Sequence, residues 1–176
     1  FQWGAELRVF GYCDRICTIR CELILNDAVV LSGVAGTEED GSFLVCVPPT
    51  EEPGGPYEIR VSENDVETVR LTGVYGGEVW LAAGQSNMEY PLGRSEFARY
   101  VIRQIGNSEI MFYEVPRAGF LDEEQAKAEE ESQWVSISSE TAASMSAVAF
   151  YFARALENRI DAKIGIIGCY VGGSAI

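Results

Sequence analysis

The sequence predicts two successive structures: an antiparallel β-sandwich over residues 1–76, then the opening part of an α/β domain on a parallel sheet over residues 77–176. Three observations predict this. Up to residue 76 the chain is a series of short runs rich in β-branched and aromatic residues, separated by turn signals. After Tyr75-Gly76-Gly77 buried-strand patterns alternate with helical ones, the texture of βα units. Hydrophobic residues make up 47% of the 176, enough to bury a real core.

The first-half strands are "ELRVF", "CTIRCELIL", "AVVLSGV", "SFLVCV", "YEIRV" and "VETVRL". The breaks between them are "ND" at 26–27, "EEDGS" at 38–42, "PPTEEPGGP" at 48–56 and "END" at 63–65. In "CTIRCELIL", alternation sets Cys17, Ile19, Cys21, Leu23 and Leu25 on one face and Thr18, Arg20 and Glu22 on the other. The cysteines are therefore expected as reduced, buried small hydrophobes, Cys46 in "FLVCV" among them. Their spacing fits no common zinc pattern, the chain has no histidine, and five is an odd number for a disulfide framework. No metal site is expected.

In the second half, Val79 to Ala83 is a continuous apolar run, the pattern of a strand buried on both faces, with Trp80 in the core. "SEFARYVIRQIGN" predicts a helix capped by Ser95 and ended by Gly106, with Phe97, Val101, Ile102 and Ile105 inward. "EIMFYEV" is a second buried strand, and "DEEQAKAEEE" at 122–131 a solvated acidic segment. "SMSAVAFYFARALENRI" predicts a helix with Val148, Phe152, Leu156 and Ile160 stacked every four residues. "KIGIIGCYVGGSAI" adds a third strand, ending in Gly172-Gly173-Ser174.

A net charge of −14 and pI near 4.3 argue against nucleic-acid and anionic-membrane partners. No apolar run approaches the 18 or so residues of a membrane span. The compartment stays open, because the chain begins at Phe1 and shows no leader.

The chemistry gathers at the carboxyl ends of two predicted strands, where ligands collect in open α/β sheets. "GQSN" places Ser86 in a tight turn directly after Val79–Ala83, a candidate nucleophile with its own backbone N–H. Gly172 or Gly173, lacking a Cβ, would let a second N–H approach a developing oxyanion if the two strands are neighbours. Gln85 and Asn87 flank the serine as turn support or substrate contacts, and Trp3 and Trp134 are candidates to border a sugar. A serine needs a base, and the nearest carboxylate is Glu89. The glycine patterns of nucleotide-binding loops are absent.

"GEVWLAAGQSNMEYPL" is similar to the nucleophile block of the sialate O-acetylesterase family, within the SGNH (GDSL-like) hydrolases. "GGPYEIRV" before it and "SAVAFYFARALENRI" with "IGIIGCYVGGSAI" after it resemble the family's flanking segments, although Val171 stands where members usually carry tryptophan. The resemblance implies an Ig-like β-sandwich followed by an incomplete SGNH-type three-layer α/β/α domain. It also implies Ser86 as nucleophile, Ser86 and Gly172 (or Gly173) as oxyanion donors, and no metal or organic cofactor. By resemblance the substrate is an O-acetylated sugar, sialic acid or acetylated xylan. The family's Asp and His are expected in a carboxyl-terminal half of the same protein. The alternative is a carbohydrate-binding module without catalysis, in which the sandwich is the working part.

Overall fold

The computed structural model describes residues 1–117 and 123–174, without the side chains of 123–126. Asp122, at the head of the acidic segment, and Ala175-Ile176 lie outside the described residues. The chain forms two compact units, Phe1–Glu78 and Val79–Ile176.

The first unit contains β1 (Leu7–Tyr12), β2 (Thr18–Leu25), β3 (Ala28–Gly36), β4 (Ser42–Val47), β5 (Gly54–Glu63) and β6 (Val66–Gly76). Four of them form a sheet in the order β3-β2-β5-β6, and β1 pairs with β4. Two hairpins set the register. Asn26 and Asp27 join β2 to β3 with φ of 51° and 64°, and Asn64 and Asp65 join β5 to β6 with φ of 46° and 67°. Both central residues lie in the left-handed region, the geometry a two-residue hairpin needs and that Asn and Asp tolerate. The alternation of β2 turns Cys17, Ile19, Cys21 and Leu23 into the core, against Val45 and Val47 of β4 and Tyr57, Ile59 and Val61 of β5. A bulge between Leu23 and Ile24 breaks the period, so Ile24 is buried too. Cys46 is exposed, contrary to expectation, because in β4 the odd-numbered Val45 and Val47 take the core face.

The second unit opens with the body of β7 (Glu78–Gly84), followed by the one-turn α1 (Ser86–Glu89), then α2 (Ala98–Arg103) and β8 (Ile110–Glu114). It continues with α3 (Glu123–Glu131), β9 (Val135–Ser136), α4 (Ala147–Glu157) and β10 (Ile164–Tyr170). Its sheet has the order β7-β10-β8-β9. The core joins Ile110 and Phe112 of β8, Ile164 and Ile166 of β10, and Phe150 and Ala153 of α4. Ser146 caps α4, its hydroxyl accepting from Ala149 N at 3.2 Å.

The expected fold class does not hold. An Ig-like sandwich and a three-layer α/β/α domain on a parallel sheet were anticipated; the chain is sheet-rich, and its pairing is mostly antiparallel. Every registered pairing in the first unit is antiparallel, in two sheets of four and two strands. In the second, β10–β8 is parallel but β8–β9 is antiparallel. A parallel sheet needs helices covering both faces, and the described helices supply little cover. Helices α1 and α2 have four and six residues, and α3, "EEQAKAEEE", has almost no apolar residue to lay on a sheet.

Three smaller corrections follow. Strand β7 is at the sheet edge rather than its centre, so Trp80 and Leu81 are 44% and 65% exposed. Helix α4 buries Ala147, Phe150 and Ala153, while Val148 and Phe152 are exposed. Ser95 does not cap α2; its hydroxyl donates to Leu92 O at 2.8 Å and Phe97 occupies the cap position, exposed.

Candidate active site

Strands β7 and β10 are neighbours, so the two glycine turns at their carboxyl ends lie side by side in the second unit. The Val171 N–H donates to Gly84 O at 3.3 Å, joining the turns just beyond the strands. Gly84 has φ of 150°, a conformation that L side chains rarely adopt, and Ser86 immediately begins α1. The Glu89 N–H donates to Gln85 O at 2.9 Å and closes that single turn.

Ser86 is exposed, and among the described residues no side chain makes a hydrogen bond to its hydroxyl. The structure does bring Gly172 to it: a Cβ added at Gly172 would lie 3.7 Å from Ser86 Cα. Between the turns stands Glu89. Its Oε2 accepts from Gly172 N–H at 2.7 Å, across 83 residues of sequence, while Oε1 pairs with Arg117 Nη1 at 2.6 Å. The ion pair pushes the Arg117 guanidinium above its ordinary pKa. Gly172 N–H is thus a donor not spent on the sheet ladder, and it holds a carboxylate oxygen beside Ser86.

The two glycines differ in what they require. A Cβ at Gly172 would fall 2.3 Å from Glu89 Oε2, so this position needs space. Gly173 has φ of 83° with nothing near, so it needs conformational freedom instead. Ser174 closes the turn, its hydroxyl donating to Val171 O at 2.8 Å.

The serine turn is anchored from behind. The buried Ser146 hydroxyl contacts Met88 Sδ at 3.5 Å, Ala147 N donates to Tyr90 O at 2.8 Å, and Leu92 N donates to Met145 O at 2.8 Å. These bonds tie the chain after α1 to the start of α4. Tyr170, two residues before Gly172, is buried, its hydroxyl makes no hydrogen bond of good geometry among the described residues, and burial pushes its pKa up to about 12. Arg117, Ser146 and Tyr170 carry no sequence signal of their own. Glu89 had one, its closeness to Ser86, though as a possible base rather than as the partner of Gly172.

Gln85 takes part through its main-chain carbonyl, which accepts from Glu89 N–H. Gln85 makes no side-chain cap bond, and Asn87 is exposed. Trp134 packs on the other end of the sheet: its ring would lie 3.1 Å from a Cβ at Gly165, near the start of β10 and five residues before that strand ends at Tyr170. At about 3.3 Å per residue that is roughly 16 Å from the end of the strand where the serine turn lies, too far to border it. Trp3 belongs to the first unit, where its ring N–H donates to Glu78 Oε1 at 2.9 Å. No described helix is long and apolar enough to cross a membrane.

No family model matches the chain. It is similar to sialate O-acetylesterases from Homo sapiens and Pongo abelii, 26% identical to each over 182 residues. The rat sialate O-acetylesterase is also 26% identical, over 188 residues. These alignments cover 96% of this chain but 33–34% of the relatives, so the chain spans about a third of their length. A crystal structure of a carbohydrate acetylesterase from Xanthomonas citri superposes with a TM-score of 0.80 at 24% identity, covering 99% of this chain and 38% of that one. The resemblance to the sialate O-acetylesterase family, drawn from the "GQSNM" and "GGS" blocks, thus extends along nearly the whole chain.

Proposed function

We propose that this chain carries the nucleophile and oxyanion-binding part of an acetylesterase that removes O-acetyl groups from a carbohydrate. The observation that carries the reading is the Gly172 N–H, aimed at an anionic oxygen 2.7 Å away beside Ser86. The names of the relatives support the substrate class, with sialic acid as the first sugar to test.

In the reaction, Ser86 Oγ loses its proton to a base and attacks the acetyl carbonyl carbon. The carbonyl oxygen becomes an oxyanion held by the N–H groups of Ser86 and Gly172. Collapse expels the sugar hydroxyl, and water then releases acetate from the acyl-serine. For the oxyanion to enter, the Glu89 carboxylate must yield Gly172 N–H. Both Glu89 oxygens are engaged with Gly172 and Arg117, which leaves Glu89 ill-placed as the base. A chain without histidine takes its base from outside residues 1–176. The test is hydrolysis of O-acetylated sialic acid by the complete protein and by its Ser86→Ala variant. Loss of acetate release with Ser86→Ala supports the reading, and activity within tenfold of the parent rejects it.

A further inference from the structure

The first unit holds a side-chain cluster that the esterase reading does not use. Cys13 follows β1, Cys17 precedes β2 and Glu63 ends β5, and their Sγ and carboxylate oxygen atoms all lie within 4.8 Å of one another. The two Sγ atoms are 3.5 Å apart. A disulfide needs about 2.05 Å. Two thiolates on a tetrahedral zinc, each about 2.3 Å from the metal, stand roughly 3.75 Å from one another. The pair is already spaced as the edge of a metal tetrahedron and far from bonding distance.

The backbone holds this spacing. Cys13 N donates to Gly41 O at 2.9 Å, Cys17 N donates to Thr37 Oγ1 at 2.9 Å, and Thr37 N donates to Cys17 O at 3.0 Å. Arg15, between the cysteines, pairs with Glu63 Oε2 at 2.7 Å. That bond holds the carboxylate in place, as outer partners do at metal sites. Charge also balances: a divalent cation, two thiolates, one carboxylate and the Arg15 guanidinium sum to zero. A carboxylate among the ligands favours zinc over a purely thiophilic monovalent ion.

We propose that Cys13, Cys17 and Glu63 form a zinc site that clamps the β1–β2 connection to the end of β5, with water as the fourth ligand. Spacing in sequence misses it because the third ligand comes from 46 residues beyond Cys17 and is a carboxylate.

The test uses purified, reduced protein carrying Cys46→Ser and Cys169→Ser, which removes the two exposed thiols. Co²⁺ should bind at one equivalent with a thiolate-to-metal charge-transfer band, and Zn²⁺ should displace it. Zn²⁺ should also raise Tm. Cys13→Ser should abolish the band, and Glu63→Gln, which keeps the shape of this half-buried side chain, should weaken Zn²⁺ about tenfold or more. Absence of the band, a band that survives Cys13→Ser, or Zn²⁺ binding unchanged by Glu63→Gln would each overturn the site. So would ready air oxidation of the pair to a disulfide that Zn²⁺ does not slow.

Discussion

The Asn64-Asp65 hairpin and the paired turns at Ser86 and Gly172 are both tight reversals at strand ends, held by opposite means. The hairpin is shaped by its own dipeptide and anchored within its own sheet. Its dipeptide supplies two left-handed residues, and Asn64 Oδ1 and N bond Thr18 N and O on the adjoining strand at 3.0 and 2.8 Å. The serine turn also begins with a positive-φ residue, Gly84, but its partners come from three separate segments: Gly172 after β10, Arg117 after β8 and Ser146 at the start of α4. A turn that only reverses the chain spends its polar groups within its own sheet. A turn that serves as a site leaves a donor aimed at whatever occupies it, and needs distant residues to hold its shape.

That contrast is broken most sharply by Ser86→Ala. In the complete protein, acetyl-ester turnover should fall by about 10⁴-fold or more, since members of a nucleophile–base set act as a unit. Urea unfolding should move by less than about 1 kcal/mol, because Ser86 is exposed and its hydroxyl has no described partner. A large stability loss would place Ser86 with the hairpin residues, as a structural part of its turn.

Gly172→Val and Gly173→Val separate the two demands within one turn. The new side chain at 172 would push Glu89 from the donor and crowd the oxyanion position, cutting kcat by about 10²–10³. At 173 the cost is backbone strain at φ of 83°, roughly 1–3 kcal/mol of stability. Equal effects on kcat would mean that the donor is not Gly172 alone.

Asn64→Val tests the hairpin side. A β-branched residue at φ of 46° costs about 1–2 kcal/mol, and the bond to Thr18 N is lost. Chemical denaturation should show a loss of roughly 2 kcal/mol, with kcat per folded molecule unchanged. No loss of stability would mean that the Asn side chain contributes nothing there.

The same contrast explains what could be read from sequence. The first unit's strands and hairpin turns were legible because period-two alternation and Asn-Asp pairs are local signals. The Ser86 and Gly172 turns were legible as breaks after apolar runs, and their adjacency followed once β7 and β10 proved to be neighbours. Burial in the second unit was not legible. An apolar run reads the same at a sheet edge as at its centre, so Trp80 was misplaced. Hydrophobicity ranks Val148 and Phe152 above alanine, yet Ala147, Phe150 and Ala153 form the face that packs closely. The sandwich and three-layer expectations failed because strand spacing says nothing about how many strands each sheet takes, or whether a helix such as α3 can cover one.

Tyr170→Phe gives the smallest effect and probes how well the site end of the sheet is satisfied. Among the described residues its buried hydroxyl makes no hydrogen bond of good geometry, the Ser146 backbone giving it only a weak approach, and such a group carries a desolvation cost that a full hydrogen bond would otherwise offset. Removing the oxygen should stabilise the protein at pH 7 by about 0.5–1 kcal/mol. The pH dependence follows from the shift of its pKa from 10 to about 12, caused first by burial and then by the Glu114 carboxylate. Below pH 10 both folded and unfolded chains keep the phenolic proton. Between pH 10 and 12 the unfolded chain releases it while the folded chain holds it, so stability falls with rising pH. Phenylalanine lacks that proton, so the variant's advantage should be constant up to pH 9 and widen by pH 11. Denaturation curves for parent and variant at pH 7, 9 and 11 measure both parts. A variant less stable than its parent at pH 7 would mean that the hydroxyl has found a partner, and that this end of the sheet is as locally satisfied as the hairpins.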